Sequence, residues 1–103
     1  MAELIHTHSA HVWTAGGAKY EARIYGTMRR DGTWAGWLEF HPLGHSGRVL
    51  QTGQETSQPN RAAVEYWAGG LEPLYLEGAL DRAQQRTSAA GQSSRSVVAE
   101  RTR

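Results

Sequence analysis

The segment at residues 20–41 constrains the fold most strongly, because apolar and polar residues alternate on both sides of Asp31-Gly32. Such alternation is typical of a β-hairpin with one buried face. A two-residue turn would place Ile24 opposite Glu39, whereas a three-residue loop places Ile24 opposite Leu38. Since a slip of one residue would send every side chain to the other face, we predict the three-residue loop, with its glycine in the left-handed conformation.

This loop predicts the register of the whole hairpin. The face predicted to join the core pairs apolar residues and glycines: Met28 with Trp34, Gly26 with Gly36, Ile24 with Leu38, and Ala22 with Phe40. The opposite face, called the outer face below, pairs Thr27 with Ala35, Tyr25 with Trp37, Arg23 with Glu39, and Glu21 with His41. The two facing glycines leave a gap on the core face, and we predict that Trp67 or Tyr66 fills it.

Shorter segments on either side of the hairpin predict further strands. Residues 11–13 read as a strand, and Gly16-Gly17 reads as a two-residue turn that would pair Trp13 with Tyr20. Residues 48–52 read as a short strand that ends at Gly53. The sequence therefore predicts an antiparallel sheet of three or four strands.

The apolar period then changes from two to about 3.6, which is typical of an amphipathic helix. We predict that Ser57 or Thr56 caps this helix and that Pro59 lies in its first turn, where proline is tolerated. Pro73 interrupts the pattern and predicts a kink or a break, with a second piece that runs from Pro73 to about Gln85. The apolar stripe continues in phase through the proline, which favours the kink; it consists of Ala63, Trp67, Leu71, Leu74 and Gly78.

Strands followed by a helical region predict an α+β fold, with one kinked helix or two helices packed on one face of the antiparallel sheet. The chain of 103 residues is long enough for one modest core, which we assign to a single domain at residues 1–86. Residues 87–103 are rich in Ser, Ala, Gly and Arg, and we predict a disordered basic tail.

Composition excludes several classes of protein. The absence of cysteine excludes a disulfide framework. No stretch approaches the roughly 20 apolar residues of a membrane span, and the first eleven residues lack the basic and apolar segments of a signal peptide. The sequence therefore predicts a cytoplasmic protein with no membrane contact.

Charge bears on the choice of partner. Residues 1–86 carry eight Lys and Arg residues against nine Asp and Glu residues, a formal charge of −1, so the domain does not attract phosphate backbones in general. Nucleic acid could contact the tail through Arg95, Arg101 and Arg103, and stacked aromatic residues with arginine, such as Tyr25, Trp37 and Arg23, also suit single-stranded nucleic acid. A protein partner or a homo-oligomer is therefore favoured over nucleic acid.

Five histidines raise the alternative of a metal site. His6 and His8 have the spacing of an H-x-H zinc pair, and His11, His41 and His45 could add ligands; the other interpretation is scattered surface histidines. For acid–base or nucleophilic catalysis, Glu21 could hold His41, and Ser46 adjoins His45, but no third group orients the base. We predict no catalytic residue, metal or cofactor, and keep a histidine-dependent metallohydrolase or a nucleic-acid-associated protein as alternatives.

Aromatic residues supply the remaining functional signal. Tyr25 and Trp37 are predicted on the outer face, with Arg23 and Thr27 beside them. Tyr, Trp and Arg are the residue types enriched at protein–protein hot spots. We therefore predict a partner-binding site at Tyr25, Trp37, Arg23 and Thr27. The alternative is that the tail, an N-terminal strand or a second helix covers this face.

Four segments carry a resemblance to a known family: Tyr20-Glu21-Ala22, the turn at Asp31-Gly32, residues 51–56, and the helix that contains Ala62 and Ala63. Over residues 20–80 this arrangement resembles the HicB-like antitoxin fold. The resemblance implies a β-β-β-α unit that binds a small toxin, and hence a non-catalytic, antitoxin-like module.

Overall fold

The computed structural model describes the backbone of residues 2–101 and the side chains of residues 2–87. Over that range the chain forms five strands and two helices, in the order β1 (Glu3–Trp13), β2 (Lys19–Met28), β3 (Trp34–Leu43), β4 (Leu50–Gln51), β5 (Thr56–Gln58), α1 (Arg61–Gly69) and α2 (Pro73–Arg101). All strands pair antiparallel in the order β1-β2-β3, and both β4 and β5 pair with the far edge of β3. The predicted α+β class is confirmed, with two separate helices rather than one kinked helix.

The hairpin of β2 and β3 has the predicted register throughout. The Arg29 N–H donates to the Thr33 carbonyl at 2.7 Å, and the Gly32 N–H donates to the Arg29 carbonyl at 3.0 Å. Gly32 has φ +88°, and the Asp31 carboxylate accepts hydrogen bonds from the backbone N–H and the hydroxyl of Thr33. This is the predicted three-residue loop, stabilised by its own side chains.

Replacing Gly32 with alanine is expected to lower the free energy of unfolding by about 1 kcal/mol, because a Cβ is strained at positive φ. Gly53 is the matched control, since its φ is not in the left-handed region and a Cβ there would meet nothing within 4 Å. Urea denaturation of Gly32→Ala and Gly53→Ala measures the difference. Equal stability of the two variants would contradict the loop conformation.

The first hairpin uses the same kind of loop, and the predicted Gly16-Gly17 turn is wrong. The Thr14 N–H donates to the Ala18 carbonyl at 2.9 Å and the Gly17 N–H to the Thr14 carbonyl at 3.0 Å, so the loop has three residues, with Gly17 at φ +91°. Consequently, Trp13 pairs with Lys19, not with Tyr20. The extra loop residue places Val12 in the core and leaves Trp13 58% exposed on the outer face.

The core lies between the sheet and both helices, but the predicted helix stripe is out of phase. The buried helical residues are Val64, Ala68, Leu76, Ala79, Leu80 and Ala83. Leu74, which belongs to the predicted stripe, is 79% exposed. Because the chain breaks at residues 70–72, the two helices can rotate independently about their axes. The buried faces of α1 and α2 therefore do not form the single continuous stripe predicted through Pro73.

The helix start also differs from the prediction. Asn60 caps α1, and its side chain accepts a hydrogen bond from the Ala63 N–H at 2.8 Å. Thr56 and Ser57 instead lie in β5, so they do not cap the helix. The sheet edge at β3 offers unpaired backbone groups to this segment, and that long-range pairing replaces the local capping option.

The gap at the facing glycines is closed by side chains from several elements. A Cβ built on Gly36 would lie 2.9 Å from Cγ2 of Thr56 and 3.3 Å from Cγ1 of Val64, whereas a Cβ built on Gly26 would meet Ile5 and the ring of Trp34. The predicted filling by Trp67 or Tyr66 is wrong. Tyr66 is 88% exposed, and Trp67 packs at the margin of the core. Gly36 therefore permits the close approach of α1.

The predicted tail is largely outside the described side chains. The backbone of α2 continues to Arg101, so the predicted end of the second helical piece near Gln85 is wrong. The side chains of residues 88–103, including Arg95, Arg101 and Arg103, lie outside the described ones, and the basic tail stays a prediction. Among the described residues, neither helix has the length and apolar character needed to cross a bilayer.

Candidate functional site

The structure brings all four predicted binding residues together on the outer face. Residues paired across antiparallel strands point to the same side of a sheet, so the register extends this face over β1, β2 and β3. Its members are Leu4, Thr7, His11, Trp13, Lys19, Glu21, Arg23, Tyr25, Thr27, Ala35, Trp37, Glu39, His41 and Leu43. The core, with both helices, lies on the opposite side. Within the described residues, β1 extends the sheet and α2 packs behind it. The Arg86 side chain of α2 reaches the margin of the outer face, where it donates to the Thr52 carbonyl at 2.6 Å and lines a cavity with Ala35 and Trp37.

Two aromatic rings form the centre of the face. The rings of Tyr25 and Trp37 stack with centroids 6.4 Å apart and planes 17° apart, and both side chains are half-buried. Leu4 pairs with Tyr25 on the other side and is 49% exposed. The indole N–H of Trp37 is buried and has no hydrogen-bond partner among the described residues.

Charged residues form a second zone beside the aromatic pair. Nε of Arg23 lies 2.7 Å from Oε1 of Glu21, and Nε2 of His41 lies 3.1 Å from Oε1 of Glu39. Each pair runs along one strand, so the expected contact between Glu21 and His41 across the strands is wrong. Side chains two residues apart on a strand share a face, and these pairs meet there by leaning along the strand.

The Arg23 guanidinium is fixed within this zone. Its hydrogen bond with Glu21 raises the pKa of Arg23 above the ordinary value, and burial acts in the opposite direction more weakly. The Tyr25 hydroxyl also interacts with Arg23 and raises its pKa further. The guanidinium therefore stays cationic and is oriented between the charged zone and the aromatic pair.

Trp13 and Lys19 lie at the far end of the outer face, where the sequence analysis placed no binding residue. Nζ of Lys19 lies 5.4 Å from the centroid of the Trp13 ring, a cation–π arrangement. Residues 3–10 of β1 were not predicted as a strand because their apolar pattern is irregular. The structure explains that irregularity, since the register with β2 shifts between Leu4 and His6 and again between Thr7 and His11.

No protein-family model, curated protein sequence or solved structure matches this chain. The resemblance to HicB-like antitoxins therefore stays a prediction.

The histidines are engaged with backbone and carboxylate groups in different parts of the fold. Nε2 of His8 donates to the Ala68 carbonyl at 2.8 Å, at the end of α1, and the His6 ring packs edge-on against His8. Nε2 of His45 donates to the Lys19 carbonyl, while its Nδ1 accepts from the Gly47 N–H. Among the described residues, no group of three or more potential ligand side chains is placed to hold a metal ion. Both ring nitrogens of His45 are occupied, which leaves no free base for Ser46.

A polar cluster behind the sheet escaped the sequence analysis. The Glu55 side chain is 10% exposed and accepts hydrogen bonds from the Tyr75 hydroxyl at 2.5 Å and from Arg82 at 2.6 and 3.1 Å. The Glu55 N–H donates to the Gly36 carbonyl at 2.8 Å. The cluster of Glu55, Tyr75 and Arg82 therefore ties α2 to the edge of β3, the strand that carries Trp37.

The cluster is called the Glu55 clamp below, and the pKa shifts of Glu55 and Tyr75 agree with its hydrogen bonds. Burial raises the pKa of the Glu55 carboxyl, but the hydrogen bonds from Arg82 and Tyr75 and the charge of Arg82 lower it more, so the net pKa lies below the ordinary 4.5. Burial, followed by the hydrogen bond and charge of Glu55, raises the pKa of Tyr75 to about 12. Glu55 is thus the acceptor and Tyr75 the donor at neutral pH. The sequence carries only a weak signal for this cluster, because Tyr75 and Arg82 lie 20 and 27 residues after Glu55.

Proposed function

We propose that this protein is a non-catalytic protein-binding module that uses the outer face of its sheet. The observation that carries the proposal is the stacked pair of Tyr25 and Trp37, half-buried beside Arg23 and Thr27 on a sheet face that no described helix covers. Rigid aromatic rings and an oriented guanidinium are the side chains that contribute most at protein interfaces.

The charge of the face favours protein over nucleic acid. Across β1–β3, the outer face carries the cations Lys19 and Arg23 against the carboxylates Glu21 and Glu39. A nucleic-acid surface needs a clear excess of cations to displace counterions from phosphates. Balanced charges around an aromatic centre instead resemble the polar rim and apolar core of a protein interface.

The compartment and the class of partner are parts of the same proposal. A chain of 103 residues without cysteine fits the reducing cytoplasm, where disulfides are rarely used. The resemblance to HicB-like antitoxins adds a small toxin to the partners worth testing.

Replacing Tyr25 with alanine is expected to weaken partner binding at least tenfold, because it removes one ring of the stacked pair. Tyr66→Ala is the matched control, since it makes the same chemical change at a ring on α1, outside the outer face. Quantitative mass spectrometry of proteins co-purified under mild salt measures the binding. Thermal unfolding of each variant shows whether the fold survives. Equal capture by folded Tyr25→Ala and Tyr66→Ala proteins would contradict the proposal.

A further inference from the structure

We infer that the occupant of the outer face is a second copy of this chain, with the two sheets packed face to face around a two-fold axis. This inference rests on the proposed function, which assigns protein binding to that face. Its basis is the register of β2 and β3, in which three residues at the centre of the outer face on β2 each lie beside a complementary one on β3. Those neighbours are Arg23 with Glu39, Glu21 with His41, and Tyr25 with Trp37.

A two-fold axis parallel to β2 and β3, midway between them and above the face, exchanges the two strands. It keeps each residue at the same height along the sheet. Arg23 of one protomer then lies over Glu39 of its partner, and Tyr25 of one protomer lies over Trp37 of its partner. Every contact occurs twice, as in any isologous interface. Sheets pack this way at angles of about 30°, so the match is best near the axis, at the Arg23 and Tyr25 rows.

Charge complementarity favours a second copy of this chain over a partner whose surface charges all have the same sign. Neighbouring charges on the outer face alternate in a chequered array, with Arg23 beside Glu21 along the strand and beside Glu39 across it. An array of this kind is complementary to itself under the two-fold rotation. A uniformly acidic partner would bring like charges together at Glu21 and Glu39, and a uniformly basic partner would do so at Arg23, which is costly at an interface.

The area of the outer face also suits an interface between two copies of this chain. Strands of ten residues are about 33 Å long, and the three long strands with the β4–β5 edge are about 15 Å across, so the flat area is about 500 Å². Large side chains such as Trp13, Tyr25 and Trp37 increase the accessible area above this value. It therefore approaches the roughly 800 Å² that each partner buries in a standard interface.

Pairing through the sheet edge is a less suitable route to a dimer. The free edge of β1 is irregular, because two register shifts, between Leu4 and His6 and between Thr7 and His11, interrupt its ladder with β2. Bulges of this kind are a common means of preventing edge-to-edge association. The outer face is thus the better surface for a second copy.

Charge reversal provides the test. In sedimentation equilibrium from low to high micromolar concentration, the full chain is expected to dimerise. Arg23→Glu and Glu39→Arg are each expected to raise the dimer Kd at least tenfold, because each places like charges over one another at both symmetric contacts. Arg30→Glu and Glu65→Arg, which make the same changes outside the outer face, are expected to have no effect.

Recombining the two reversals restores the complementarity. An equimolar mixture of Arg23→Glu and Glu39→Arg is expected to recover dimers. In the mixed dimer one contact joins the two introduced charges, which are opposite in sign, and the other joins the native Arg23 and Glu39. The double variant is expected to recover dimers as well, since the signs at both contacts are then exchanged together.

Each outcome is decisive for the inference. Circular dichroism of every variant establishes that loss of dimer is not loss of fold, and the mixture of variants gives a second readout that misfolding would not restore. A wild-type chain that stays monomeric overturns the inference, as does a dimer that neither reversal weakens. If the chain is monomeric but Tyr25→Ala still loses a different protein, the homodimer fails while the proposed function stands; if neither effect occurs, both fail.

Discussion

Replacing Leu76 with alanine is expected to lower the free energy of unfolding by about 2–5 kcal/mol, whereas Leu74→Ala is expected to change it by less than about 0.5 kcal/mol. The two leucines lie two residues apart in α2, so helix propensity affects them alike. Leu76 is 1% exposed and belongs to the core cluster, whereas Leu74 is 79% exposed. Removing three buried carbon atoms from Leu76 loses transfer free energy and leaves a cavity.

Urea denaturation of the two variants measures this difference, which tests the phase of α2 directly. The apolar stripe read from the sequence contains Leu74 and omits Leu76. A large loss at Leu74 with a small loss at Leu76 would mean that α2 packs in the phase of that stripe. Because a domain of this size is stable by roughly 5–15 kcal/mol, the expected loss at Leu76 is a substantial part of the total.

Replacing Glu55 with glutamine is expected to cost about 1–3 kcal/mol at neutral pH, because the substitution weakens charge-assisted hydrogen bonds from Arg82 and Tyr75. Glu65→Gln is the matched control. Its side chain is 58% exposed and lies 3.8 Å from Arg61, and exposed pairs of this kind contribute little. Denaturant unfolding of both variants against wild type measures the costs. Equal losses would show that Glu55 does not act as a clamp.

The pH dependence gives an independent check on Glu55. Its pKa in the folded protein lies below the ordinary 4.5, so the folded state binds this proton more weakly than the unfolded state does. The stability that it contributes is therefore complete above about pH 4.5 and is lost as the pH falls through the folded pKa. The difference between wild type and Glu55→Gln is expected to shrink in the same range, since protonated Glu55 resembles glutamine. A difference that stays constant down to about pH 3 would contradict this account.

The hairpin of β2 and β3 shows how far the sequence alone could go. Its register followed from two facts, the strict alternation of apolar residues and the position of Gly32, because only one loop length buries all the apolar side chains. The same register placed Tyr25, Trp37, Arg23 and Thr27 on one face, and the structure has them there. The same loop rule also applies at Gly17, where the sequence analysis used a two-residue turn and shifted Trp13 by one position.

The sequence-based predictions that were wrong share a physical cause. Local and distant interaction partners compete for the same side chain or backbone group. Thr56 and Ser57 have the chemistry of helix caps, but they pair with the edge of β3 instead. Glu21 and Glu39 face His41 and Arg23 across the strands, yet Glu21 binds Arg23 and Glu39 binds His41, each on its own strand. In such cases several local arrangements have similar free energies, and the packing of the surrounding residues decides which one forms.

The sequence by itself determined the α+β class, the β2–β3 register and the residues that these two strands place on the outer face, because alternation and turn chemistry act over neighbouring residues. Only the tertiary structure decided the phase of the two helices, the irregular course of β1 and the Glu55 clamp. Each of these depends on surfaces that meet only when distant segments pack together, such as Val64 against Gly36 or Arg82 against Glu55. No local pattern specifies those contacts, since their energy exists only in the assembled core.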